Sequence, residues 1–65
     1  VSQQFTIAEQ LDAIDREIRF RRHVYPRRVA ESRMSQKEAD RQIALMEAVK
    51  ATVAKIGREQ KELDL

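Results

Sequence analysis

The sequence contains no cysteine and no tryptophan, and among its 65 residues only one glycine, Gly57, one proline, Pro26, and one histidine, His23. Without cysteine there is neither a disulfide framework nor a thiolate metal site, which accords with a reducing compartment. His23 has no His or Glu four residues further on, so the helical metal-ligand pair is missing and no metal or other cofactor is expected. One glycine cannot make a phosphate-cradling loop, and no Ser/His/Asp set or paired-carboxylate geometry is visible; no catalytic residue is assigned and the protein reads as a non-enzyme. No apolar run approaches the roughly 20 residues that span a bilayer. The start, Val1-Ser2-Gln3-Gln4-Phe5, has neither the basic residues nor the apolar stretch of an export signal. A cytoplasmic protein with no membrane contact is the expectation.

What is present is abundant Ala, Glu, Gln, Arg and Lys, with charged residues at 37%, a composition that favours helix almost everywhere. The charges nearly cancel, at a net +2, and the apolar residues recur regularly, unlike the low-hydrophobicity, high-net-charge pattern of disorder. A single small domain over residues 1–65 follows, of a size that buries only about 60% of the surface of its unfolded chain. Lacking disulfides and metal, such a chain is expected to gain its missing stability by oligomerisation.

Two capping boxes divide the chain. Thr6-Ile7-Ala8-Glu9 and Ser35-Gln36-Lys37-Glu38 each place a hydroxyl over the free N–H groups of a first helical turn, with a Glu three residues later reaching back. Helices are therefore expected over about 7–33, kinked near Pro26, and 36–62. In the first, Ile7, Leu11, Ile14 and Ile18 recur at steps of four, three and four; in the second, Ala39, Ile43, Met46, Val49, Val53 and Ile56 do the same, with Leu63 beyond them. Such spacing lays side chains along one face. The short connection makes the pair an antiparallel two-helix hairpin, all-α, and two hairpins would complete a helical bundle. Leu45, Ala48 and Thr52, off the main stripe, are candidates for that second surface.

Charge singles out one segment. Residues 16–28 hold six arginines against Glu17, a net +5, whereas residues 1–15 carry −3 and residues 29–65 balance. Guanidinium groups suit carboxylate and phosphate recognition because their donors form a fixed fork. With a turn near Met34, residues whose numbers sum to about 68 lie opposite each other in the hairpin, pairing Arg21 with Glu47 and Arg28 with Asp40 as structural ion pairs. Arg16, Arg19, His23 and Arg27 share another face with Phe20, at steps of three and four. Those five are the candidate partner-binding residues, with Phe20 as an anchor for either a second copy or another protein.

The segments Arg21-Arg22-His23-Val24-Tyr25-Pro26-Arg27-Arg28-Val29-Ala30, Met34-Ser35-Gln36-Lys37-Glu38-Ala39-Asp40 and Ile43-Ala44-Leu45-Met46-Glu47-Ala48-Val49 resemble a family of small bacteriophage and prophage proteins, over roughly residues 6–54. The resemblance implies a phage origin and a bacterial host cytoplasm, and brings no activity with it. Members tend to have glycine where this chain has Ser32, at the end of the first helix. A partial similarity to helical chorismate mutases, in Leu11-Asp12-Ala13-Ile14-Asp15 and Asp40-Arg41-Gln42, lacks the third helix and puts Gln42 where an acid would stand. The functional expectation is a phage-encoded interaction module that self-associates, a dimer being favoured, and binds a protein. Its alternatives are a small nucleic-acid-binding regulator using residues 16–28 and a structural component of a phage particle.

Overall fold

In a computed structural model, residues 5–63 are described, with side chains through residue 60. They form two helices, α1 (Ile7–Ala30) and α2 (Gln36–Leu63), folded back on each other as a hairpin. The stretch Val1–Gln4 and the side chain of Leu63 lie outside the described residues.

Local chemistry sets the ends of α1. The Thr6 hydroxyl accepts from the Glu9 N–H at 3.1 Å, and the Glu9 carboxylate accepts from the Thr6 N–H at 3.1 Å, so the first capping box is complete and satisfies two otherwise orphan donors. The helix runs unbroken through Pro26, whose ring is exposed. It ends at Ala30 rather than at residue 33, because Ser32 takes a left-handed backbone, φ 60°. From there the Arg33 N–H reaches back to the Arg28 carbonyl at 2.9 Å and the Ser32 N–H to that of Val29 at 3.0 Å. These are the two bonds of a Schellman cap, a motif that glycine fits without strain. Serine holds the position here with a Cβ that the left-handed region disfavours.

The second helix starts where expected, with the Ser35 hydroxyl accepting from the Glu38 N–H at 3.0 Å. Here only the forward half of the capping box forms among the described residues.

The interior is a single seam. Ile18 and Tyr25 from α1 and Ala39 from α2 are the buried hydrophobic residues, flanked by half-buried Ile7, Leu11, Ile14, Ile43, Met46 and Val53. Ala39 is the most buried residue, at 2% exposure; a small side chain in the seam near the turn lets the helices stay close. At the other end, Gly57 does the same for Ile7. A Cβ on Gly57 would stand 2.8 Å from the Ile7 Cγ2, well inside contact distance.

The expected α2 stripe is corrected in its second half. Val49 and Ile56 are 38% and 42% exposed, while Ala54 and Gly57 are half-buried and Lys50 reaches across to Asp15. The line of contact thus follows Met46, Lys50, Val53 and Gly57, one residue round from Val49 and Ile56. Gly57 draws α2 toward Ile7 along that line, and α2 turns its more apolar flank to the outside.

Two outcomes check this packing. Ser32→Gly should stabilise the hairpin by about 1 kcal/mol, raising the midpoint of a thermal melt followed by circular dichroism by roughly 4–8 °C. Gly57→Ala, worth about 1 kcal/mol of helix propensity at an open site, should instead be neutral or destabilising, because the β-branched Ile7 cannot swing its Cγ2 aside within a helix. The same substitution made in an Ile7→Ala background should be stabilising. A cycle of the four proteins showing no coupling would mean the close approach is absent.

Candidate interaction faces

The two edges of the seam differ in chemistry. Along one edge, Asp15, Arg19 and Arg22 of α1 face Glu47 and Lys50 of α2 around a shallow groove floored by Ile18. Lys50 Nζ lies 2.7 Å from the Asp15 carboxylate, and Arg22 Nη2 donates to Glu47 Oε1. This edge is latched by inter-helix ion pairs. On the other edge Arg21 is the link: its Nε donates to Glu17 at 2.8 Å and its Nη1 to the backbone carbonyl of Gln42 at 3.0 Å. The Arg21 and Arg28 guanidinium carbons sit 5.9 and 5.7 Å from the centre of the Tyr25 ring, close enough for cation–π attraction. Three cationic or aromatic side chains thereby form one cluster at the turn end of the hairpin.

These positions correct the two expected ion pairs. Glu47 is paired with Arg22, not Arg21. Successive residues on a helix project about 100° apart, so Arg21 and Arg22 straddle the seam and reach α2 on opposite sides; Glu47 is on the Arg22 side. Asp40 accepts from Gln36 of its own helix at 2.9 Å, while Arg28 lies over Tyr25, and among the described residues the two make no ion pair. The register is nonetheless close to that expected, since the numbers of facing residues sum to 64 for Ile7 and Gly57, 65 for Asp15 and Lys50, and 69 for Arg22 and Glu47. The Asp15–Lys50 and Arg22–Glu47 latches were both within reach of the sequence by that arithmetic; deciding which edge of each helix a charge occupies needed the seam.

The five candidate partner-binding residues are all exposed. Arg16, Phe20, His23 and Arg27 lie on the side of α1 turned from α2, and Arg19 stands at the margin of that face, where it also lines the groove toward Glu47 and Lys50. Arg16, Arg19, His23 and Arg27 make no hydrogen bond or ion pair among the described residues, in contrast to Arg21, Arg22 and Arg33, which are committed to carboxylates. Phe20, 51% exposed, stands at the border between this cationic face and the apolar flank of the hairpin.

No group of three or more His, Cys, Asp or Glu residues capable of holding a metal occurs among the described residues. Within the same residues, no helix is long and apolar enough to cross a membrane.

Charge reversal distinguishes the two edges. Arg22→Glu should lower stability by about 1 kcal/mol, the upper end for an exposed pair, and Glu47→Arg in the same chain should recover most of the loss. Arg21→Glu should gain nothing from Glu47→Arg; equal rescue of both in thermal melts would mean the arginines are assigned to the wrong edges. Compared with protein-family models, with curated proteins and with solved structures, the chain finds no match.

Proposed function

We propose that this chain is a non-enzymatic helical interaction module, of phage or prophage type, that binds a protein partner through the outer face of α1. The observation that carries the reading is the contrast among the arginines. Those at the seam are spent on Glu17, Glu47, the Gln42 carbonyl and Tyr25, whereas Arg16, Arg19 and Arg27 project outward with His23 and answer to nothing within the described hairpin. Structural needs therefore account for half of the basic segment and leave the other half available. A row of uncommitted guanidinium forks beside an exposed aromatic fits a partner surface carrying carboxylates around an apolar pocket: the Phe20 ring supplies the area and the forks supply orientation. The resemblance of residues 6–54 to small phage proteins supports the phage assignment.

Nucleic acid is the second reading, since the same forks fit phosphates. Salt separates the two. Neutralising three phosphates, one for each free arginine, would make affinity for a short DNA duplex fall roughly 40-fold between about 50 and 200 mM salt, whereas a contact anchored by Phe20 should weaken far less.

The test is affinity capture from a bacterial host lysate, with and without nuclease treatment, at about 200 mM salt, with wild type beside Phe20→Ala and beside the triple change Arg16→Glu, Arg19→Glu, Arg27→Glu. A protein retained by the wild type and lost from both variants is the expected result, at unchanged helicity. Retention that disappears on nuclease treatment, together with steeply salt-dependent duplex binding, would transfer the face to nucleic acid.

A further inference from the structure

The edge of the seam opposite the charged latches is apolar and open. On α2, Gln42, Leu45, Val49, Thr52 and Ile56 follow one another at steps of three and four, a single row on one side of the helix. Gln42 at its head is the residue that Arg21 reaches across the seam, which fixes the side of the hairpin on which the row lies. Leu45, Val49 and Ile56 are 52%, 38% and 42% exposed. Thr52 does not interrupt them, because its hydroxyl donates to the Ala48 carbonyl of its own helix at 3.1 Å and is satisfied there. On α1 the matching row at steps of four, three and four is Ala13, Glu17, Phe20 and Val24; Glu17, its one charge, is neutralised by Arg21. Four of the five large hydrophobic residues exposed on the described hairpin, Phe20, Leu45, Val49 and Ile56, thus border one face.

Area gives the size of what covers that face. A compact monomer of this chain's 7.6 kDa mass exposes about 4,300 Å², whereas the hairpin exposes 5520 Å², an excess of about 1,200 Å². Its radius of gyration, 15.3 Å, likewise exceeds the roughly 11 Å of a compact domain this long. A standard protein–protein interface removes about 800 Å² from each partner, so one such interface absorbs most of the excess. The hairpin is a rod of 50 × 19 × 19 Å whose apolar rows run along its length. A second rod of the same length covers them along their whole extent and closes four helices around one core.

We infer that a second copy of this chain docks on the Leu45–Val49–Ile56 face, forming a homodimeric four-helix bundle with Phe20 at its rim, where the ring stays open to the outer face of α1. The inference rests on the reading of the chain as an interaction module and adds to it a second, separate surface: the apolar flank is for self-association, and the outer Arg16, Arg19, His23 and Arg27 face stays exposed on the dimer. The charged edge, with its latches satisfied within one hairpin, remains at the surface.

Sedimentation equilibrium over about 1 µM to 1 mM, with circular dichroism at each end, tests this on the full chain. Wild type should run as a reversible dimer. Val49→Glu should raise its dissociation constant on the order of 100-fold, the cost of a buried charge in such an interface, while Ala51→Glu, which adds the same charge to the exposed outer side of α2, should leave it within roughly threefold. Because Val49→Glu can also unfold a hairpin that depends on its partner, Val49→Cys supplies an independent reading: its thiol should react with a maleimide more slowly as protein concentration rises, and that of Ala51→Cys should not. A fully helical wild type that stays monomeric at the highest concentration overturns the proposal, as does equal reactivity of the two thiols at all concentrations. Neither result touches the α1 outer face, whose capture of a protein partner is measured by different variants.

Discussion

Two helices meet along one line, and nearly everything else in this structure follows from that limit. Each helix can bury only a narrow stripe against the other, so a hairpin of 24-residue and 28-residue helices encloses, among the described residues, only Ile18, Tyr25 and Ala39 as buried hydrophobic residues. Burying a large apolar side chain completely is worth about 1.5–3 kcal/mol, and ordering each residue's backbone costs roughly 1–2 kcal/mol. A seam with so few buried residues is a thin foundation for two long helices. The flanks left outside are consequently part of the energetics.

The seam is given its position by close approach at two places. Ala39 is the small buried residue near the turn, and Gly57 admits Ile7 near the open end. With the axes held there, each helix has two edges, and the chain uses them differently. The edge with Asp15, Arg22, Glu47 and Lys50 is tied by ion pairs between the helices, whose net stabilisation is small at exposed sites but which disfavour sliding by a turn, since a shift would bring the wrong charges together. Its counterpart carries Leu45, Val49 and Ile56 in solvent, closed at one end by Arg21 on the Gln42 carbonyl. Beyond both edges lies the cationic back of α1. One hairpin therefore presents a latched polar edge, an apolar edge and a basic face, and the proposed self-association and partner binding use the last two without competing.

Much of this was legible in the residues. The all-α class, both helix starts, the short reversal and the antiparallel pairing all followed from two capping boxes and two runs of apolar residues at helical spacing, because these signals act within one turn of helix and need no tertiary information. The outer face with Arg16, Arg19, Phe20, His23 and Arg27 was legible for the same reason: side chains at steps of three and four share a side whatever the helix packs against. Ser32 marks where local reasoning stopped. A serine in the left-handed region is disfavoured by its own Cβ, so the Schellman cap that ends α1 three residues early is imposed by the reversal the two packed helices require.

The amino-acid sequence by itself determined that there are two helices, where each starts, and which residues of α1 face inward, because Ile7, Leu11, Ile14 and Ile18 leave one choice of stripe. On α2 it left two, since a stripe drawn through Val49 and Ile56 and one drawn through Lys50 and Gly57 differ by a single residue and both continue the line from Ala39 and Met46. Only the tertiary structure decided between them: Gly57 allows Ile7 to come close, the helix turns to exploit that contact, and Val49 and Ile56 go to the surface. The same small rotation gives Glu47 to Arg22 and leaves Arg21 to Glu17 and the Gln42 carbonyl, because neighbouring residues point about 100° apart and which of them crosses a seam depends on where the seam runs.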